Sequence, residues 1–141
     1  MNPESYIFVV DNEAPIADLV VELLTDEGYS VLSALSGEEA LVIIKAYEPA
    51  LLILDMLMPA MSGAEVIENL ITAGYTHLPI VAMTAAPQDA AQLLAQGGIA
   101  SVIEKPFDIN ELLTCVAQYV QPPDTKTKQP VVVVKTISPA S

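Results

Sequence analysis

The sequence predicts an α/β domain, a doubly wound parallel sheet of five strands flanked by five helices. Three observations carry this expectation. Short β-rich apolar runs alternate five times with segments of helical spacing, a pattern that puts helices on the faces of a parallel sheet. The run from Ala50 to Leu54 (ALLIL) is apolar throughout, as a central strand covered on both faces must be. Several helical segments open on capping signatures and close at glycines. The 141 residues suit one domain with its own core, and 52% hydrophobic against 16% charged residues excludes a disordered chain.

The elements follow in order. Tyr6 to Val10 is the first strand. Ala14 to Glu27 carries Ile16, Leu19, Val20, Leu23 and Leu24 on one helical face, with Pro15 in the first turn and Gly28 at the stop. Tyr29 to Ala34 is the second strand. Ser36 with Glu39 caps a helix to Ala46, and Ala50 to Leu54 is the third strand. A loop from Met56 to Gly63 leads to a second capping pair, Ser62 with Glu65, and a helix ending near Gly74. Leu78 to Met83 is the fourth strand, Gln88 to Ala95 a weaker helix, and Ser101 to Ile103 the fifth strand. Asp108 with Glu111 caps a last helix to Val120. Ile7, Val9, Ile53, Leu54, Ile80 and Val81 are expected in the core.

These boundaries give one domain over residues 1–120 and a flexible tail or linker remnant over 121–141. QPPDTKTKQP is polar and proline-rich, with two lysines against one aspartate. VVVVK at Val131 to Lys135 is expected either as an added strand or as part of that mobile tail.

The formal net charge is −13, and all five positive residues are lysines. A chain without arginine and with this charge repels phosphate backbones and anionic membranes, so no direct nucleic-acid or membrane partner is expected. Cys115 is the only cysteine, which excludes an internal disulfide; it lies in an apolar helical pattern and reads as an inert core residue. His77 reads as a surface residue, and Tyr119 as packing at the end of the last helix. No secretory signal is visible at the start, and Asp55 interrupts the longest apolar run, so a cytoplasmic protein is expected.

In a doubly wound sheet, sites form at the carboxyl ends of the strands. Those ends carry Asp11-Asn12-Glu13, Asp55, Thr84 and Lys105. Any one could be a strand terminator or a solvated side chain; together they bring acids, a hydroxyl and an ammonium to one crevice. Clustered carboxylates attract a hard cation such as Mg²⁺. A carboxylate can attack phosphorus, with the cation, ammonium and hydroxyl neutralising or binding the phosphoryl oxygens. Asp55 is the candidate nucleophile, because it ends the central strand and a proline-containing loop follows.

The strings VVDNEAP, LLILDMLMPAMSG, VAMTA and VIEKPF resemble, in order and spacing, the four signature segments of bacterial response-regulator receiver domains. The resemblance runs from Tyr6 to about Val120. It implies a flavodoxin-like fold with strand order 2-1-3-4-5 and a signalling module rather than an enzyme. It implies that Asp55 accepts phosphate from a histidine kinase or phosphotransfer protein. It implies Mg²⁺ held by Asp11, Asn12, Asp55 and the Leu57 carbonyl, with Thr84 on a phosphoryl oxygen and Lys105 paired to the phosphorylated aspartate. The Lys105-Pro106 bond is expected to be cis, and the output to be a contact with a downstream protein.

Two positions depart from the family. Asn12 stands where most members have a second acid, and Val102 where most have tyrosine or phenylalanine. The first bears on metal affinity, which Glu13 could offset, although in the family the residue there usually points elsewhere. The second bears on an aromatic switch. Both leave open a degenerate receiver that binds partners without phosphorylation. A flavin-binding carrier of the same fold fits poorly, since DNEAP is acidic and would repel a flavin phosphate. An aspartyl phosphatase needs an acid where Leu57 stands.

Overall fold

The structure, a computed structural model, describes residues 6–121. The expected tail, with its added strand or mobile segment at Val131 to Lys135, lies outside the described residues. In chain order the elements are β1 (Tyr6–Val10), α1 (Ala14–Asp26), β2 (Ser30–Ala34), α2 (Gly37–Ala46), β3 (Leu51–Asp55), α3 (Gly63–Thr72), β4 (Ile80–Thr84), α4 (Ala91–Gln96), β5 (Ser101–Glu104) and α5 (Ile109–Ala117). The five strands form one sheet in the order β2-β1-β3-β4-β5. Every pairing is parallel. The predicted class and strand order are both observed.

Alternation along the strands sorts side chains into two cores. Tyr6, Phe8, Val10, Leu52, Leu54, Ile80 and Ala82 face α2 and α3, where they meet Ala40, Leu41, Ile44, Val66, Ile67 and Leu70. Ile7, Val9, Leu51, Ile53, Val81 and Met83 face α1 and α5 and meet Ala17, Val20, Leu24, Leu112 and Val116. A period of two puts neighbours on opposite faces, so an all-apolar strand serves both cores at once. All six core residues expected from the sequence are buried.

The capping signatures are realised. Ser36 accepts from the Glu39 N–H, Asp108 from that of Glu111, and Ser62 with Glu65 forms a reciprocal capping box. Gly28 and Gly74 take positive φ, 98° and 97°, as helix stops that L side chains disfavour.

Four details differ from expectation. The helix predicted over Gln88 to Ala95 is a 3₁₀ turn at Pro87–Asp89 followed by the short α4. Pro87 starts the tighter turn, no side chain caps α4, and no α4 residue is fully buried, so little favours one continuous helix. β4 begins at Ile80 because Pro79 has no N–H for the ladder; its carbonyl accepts from the Leu52 N–H. α5 stops at Ala117, although Tyr119 and Val120 still bond back to Val116. Cys115 is half-buried at the margin of the core. His77 is exposed, and Tyr119 lies two residues beyond α5 with its hydroxyl 2.5 Å from that of Ser101.

Core and surface positions should separate cleanly in denaturant melts. Ile53→Ala empties a fully buried site in the central strand and should cost about 2–5 kcal/mol. Val42→Ala, on a side chain 69% exposed in α2, should stay within about 0.5 kcal/mol of wild type.

Candidate functional site

The sheet register builds the site. Val10 pairs with Leu54, so the next residues, Asp11 and Asp55, emerge side by side from β1 and β3. Across β4 and β5, Thr84 pairs with Glu104, and the Lys105 N–H donates to the Thr84 carbonyl at 2.8 Å. Asp11, Asp55 and Thr84 are all buried. The sequence-predicted acids, hydroxyl and ammonium are therefore gathered at one edge.

One local device orients three of them. Asp11 Oδ1 accepts the Glu13 N–H at 2.9 Å, Asp55 Oδ1 the Leu57 N–H at 3.1 Å, and Thr84 Oγ1 the Ala86 N–H at 3.0 Å. In each case a strand-ending side chain bonds the backbone two residues on, as Asp and Thr do at turns. This leaves the second oxygen of each carboxylate for Lys105. Its ammonium lies 2.8 Å from Asp11 Oδ2, 3.2 Å from Glu13 Oε1 and 3.6 Å from Asp55 Oδ2.

The electrostatics follow from burial and from the neighbouring charges. Burial pushes the Asp55 carboxyl up from 3.8 to about 6; its hydrogen bond from Leu57 opposes this, the charge of Asp11 adds to it, and Lys105 opposes it. Burial alone would lower the Lys105 ammonium, but contact with Asp11, the charges of Asp11 and Asp55 and the bond to Glu13 outweigh it, and the net direction is up. Two buried carboxylates therefore share one cation and remain short of positive charge.

The donor set fits a hard divalent cation. Asp11 Oδ2 is buried and lacks an aligned hydrogen-bond donor, although the Lys105 ammonium is near. Among the described residues, no group of three or more His, Cys, Asp and Glu side chains is arranged to hold a metal. Two carboxylates therefore need an amide or carbonyl oxygen beside them, and Mg²⁺ accepts few protein ligands while keeping its waters. Asn12 is exposed in the turn after Asp11, and Leu57 is exposed after Asp55.

The loop after Asp55 is tightly closed. Gly63 donates to the Met56 carbonyl at 3.2 Å, and a Cβ on Gly63 would fall 2.7 Å from Met56 Cα and 2.8 Å from the Asp55 carbonyl oxygen. Ala60 in the same loop holds φ 66°, a left-handed conformation that disfavours alanine. The Lys105-Pro106 bond is cis, as expected. Val102 is half-buried and packs against the core on the α2–α3 side of the sheet.

Glu13 is the residue that reasoning from the family placed elsewhere: here its carboxylate reaches Lys105. The available signal was its position. A long acid stands at the N-cap of α1, where short oxygen-bearing side chains usually sit, and it makes no side-chain cap. Beside it, Glu13, Ile16, Ala85, Lys105, Pro106 and Phe107 line an open cleft of about 340 Å³.

A family model described as response regulator receiver domain matches residues 7–117. The transcriptional regulatory protein YvrH of Bacillus subtilis is 38% identical over 108 residues, 75% of this chain and 45% of the relative. The chain thus spans less than half the length of that protein. The response regulator protein TrrA of Thermotoga maritima, solved in complex with Mg²⁺-BeF, is 32% identical at a TM-score of 0.73, covering 82% of this chain and 99% of that one. The chemotaxis protein CheY4 of Vibrio cholerae is 28% identical at a TM-score of 0.74, covering 82% and 98%. A relative named for transcription gives no support to the expectation that nucleic acid is not a partner. Among the described residues, no helix is long and apolar enough to cross a membrane.

Because the raised carboxyl of Asp55 binds more protons folded than unfolded, its contribution to stability is present below about pH 4 and lost as pH rises towards 6. In EDTA, wild type should therefore lose on the order of 1–2 kcal/mol across that window relative to Asp55→Asn, read from paired thermal melts. Parallel pH curves for the two proteins would contradict the burial of the Asp55 carboxyl beside Asp11.

Proposed function

Since this chain belongs to the response-regulator receiver domain family, we propose that it is a phosphoacceptor in a two-component relay, taking a phosphoryl group onto Asp55 from a histidine kinase or phosphotransfer protein. The observation that carries this reading is the side-by-side burial of Asp11 and Asp55 under one ammonium. Asp55 Oδ1 is fixed by Leu57, which aims Oδ2 into the site as the attacking oxygen. The new oxygen–phosphorus bond forms as the donor's nitrogen–phosphorus bond breaks, and the leaving imidazole keeps the electron pair.

Mg²⁺, when bound, supplies neutralisation of phosphoryl charge, and Asp11, Asp55, the Asn12 side-chain oxygen and the Leu57 carbonyl would hold it. Lys105 then pairs with the phosphoryl group in place of the bare Asp55 carboxylate. The Thr84 hydroxyl accepts from Ala86 in the resting site and still has its proton to donate to a phosphoryl oxygen. Val102 has no ring to swing, so Thr84 and the loop after it carry the change alone. With a charge of −13 and no arginine, the output of this unit is a contact with a downstream protein. On this reading the phosphoryl group stays on Asp55 as the signal, which makes the unit a signalling module and not an enzyme. The competing reading, a receiver that binds partners without phosphorylation, draws on Asn12 and Val102.

Intact mass after incubation with acetyl phosphate and Mg²⁺ separates the two readings. One phosphoryl mass on wild type and none on Asp55→Asn is the expected result; a gain that survives in Asp55→Asn would overturn the assignment. A unit charge near the ion is worth roughly 1–4 kcal/mol between water-like and surface-like dielectric, so Asn12→Asp should tighten Mg²⁺ binding by about tenfold or more in a titration. Without metal the added acid should lower the melting temperature. Unchanged Mg²⁺ affinity would remove Asn12 from the ligand set.

A further inference from the structure

We propose that Glu13 sets donor specificity at this site, disfavouring doubly charged free acyl phosphates and favouring donors whose phosphorus is bonded to a protonated nitrogen. The inference rests on Asp55 being the phosphoacceptor. Three observations converge on Glu13. Its Oε1 accepts from the Lys105 ammonium at 3.2 Å, while its own side chain is 59% exposed. It occupies the N-cap of α1 without making a side-chain cap, and its N–H, not its carboxylate, serves the turn with Asp11. It lines the open cleft together with Lys105, so a group that approaches Lys105 through that cleft passes a carboxylate.

The chemistry then depends on the donor's charge. Acetyl phosphate arrives as a dianion, and as Asp55 forms its oxygen–phosphorus bond the phosphorus–oxygen bond breaks and acetate leaves with the electron pair. Both the arriving and the departing species are repelled by Glu13, which also holds the ammonium that the phosphoryl oxygens need. Phosphoramidate carries a protonated nitrogen at neutral pH and only one net negative charge. Its phosphorus–nitrogen bond breaks to leave neutral ammonia, so its positive end gains from the same carboxylate. A phosphohistidine with a protonated ring belongs to this second class.

The test compares phosphorylation rates of the full chain by acetyl phosphate and by phosphoramidate, with Mg²⁺, in wild type, Glu13→Gln and Glu13→Asp. Because Glu13 is largely exposed, the effect falls in the range of surface charge pairs. Glu13→Gln should accelerate acetyl phosphate about two- to fivefold, leave phosphoramidate unchanged or slower, and lose most of its effect at high salt. Glu13→Asp keeps the charge and should keep the wild-type donor ratio. In metal-free protein, the side-chain ¹⁵N resonance of Lys105 should shift in Glu13→Gln while that of Lys45 does not. Labelling by both donors with a ratio unchanged in Glu13→Gln overturns this proposal alone, as does an unmoved Lys105 resonance. Failure of both donors to label wild type overturns it together with the reading of Asp55.

Discussion

Two carboxylates lie side by side, out of water, at the ends of adjacent parallel strands, and one ammonium from a third strand end reaches both. Asp11 and Asp55 are held there by the β1–β3 register, which pairs the residues just before them. Two like charges in a buried setting repel strongly, and the fold supplies only Lys105 within ion-pair distance among the described residues. The site is therefore built short of positive charge. That deficit is what a divalent cation would relieve.

The sheet provides the rigidity this arrangement needs. Strands buried on both faces serve two cores at once, so a shift of β1 or β3 would disturb packing against α1 and α5 as well as α2 and α3. Beyond the strand ends, rigidity passes to short turns in which Asp11, Asp55 and Thr84 each accept an N–H from two residues on. These bonds select one oxygen of each acid for the scaffold and release the other for chemistry. The close approach of Gly63 to Met56 and the left-handed Ala60 hold the intervening loop against that same corner.

In the proposed function, signal output begins from these few groups. The Lys105 N–H bonds the Thr84 carbonyl, so the ammonium-bearing residue and the hydroxyl-bearing residue share a rung between β4 and β5. The segment after Thr84 is a 3₁₀ turn and a six-residue helix with no fully buried side chain in either, anchored between them by the buried Ala90. A rearrangement that starts at Thr84 meets little packing resistance there.

Much of this was legible in the amino-acid order. Apolar alternation, the ALLIL run and the capping pairs Ser36–Glu39, Ser62–Glu65 and Asp108–Glu111 act locally, through periodicity and side-chain reach, and they determined the elements and their number. The signature strings placed Asp11, Asp55, Thr84 and Lys105 at strand ends, and parallel topology then requires those ends to meet. The break in the predicted fourth helix was harder to read, because it depends on how little that segment buries. Glu13 could not be placed at all from local rules: a long side chain at a helix start has many rotamers, and only the position of Lys105, ninety-two residues away, selects the one observed. Sequence alone thus determined which residues stand at the strand ends, because residue type and period are local properties. Tertiary structure decided which charges touch, because a 3.2 Å contact depends on the register of strands that only the folded sheet brings together.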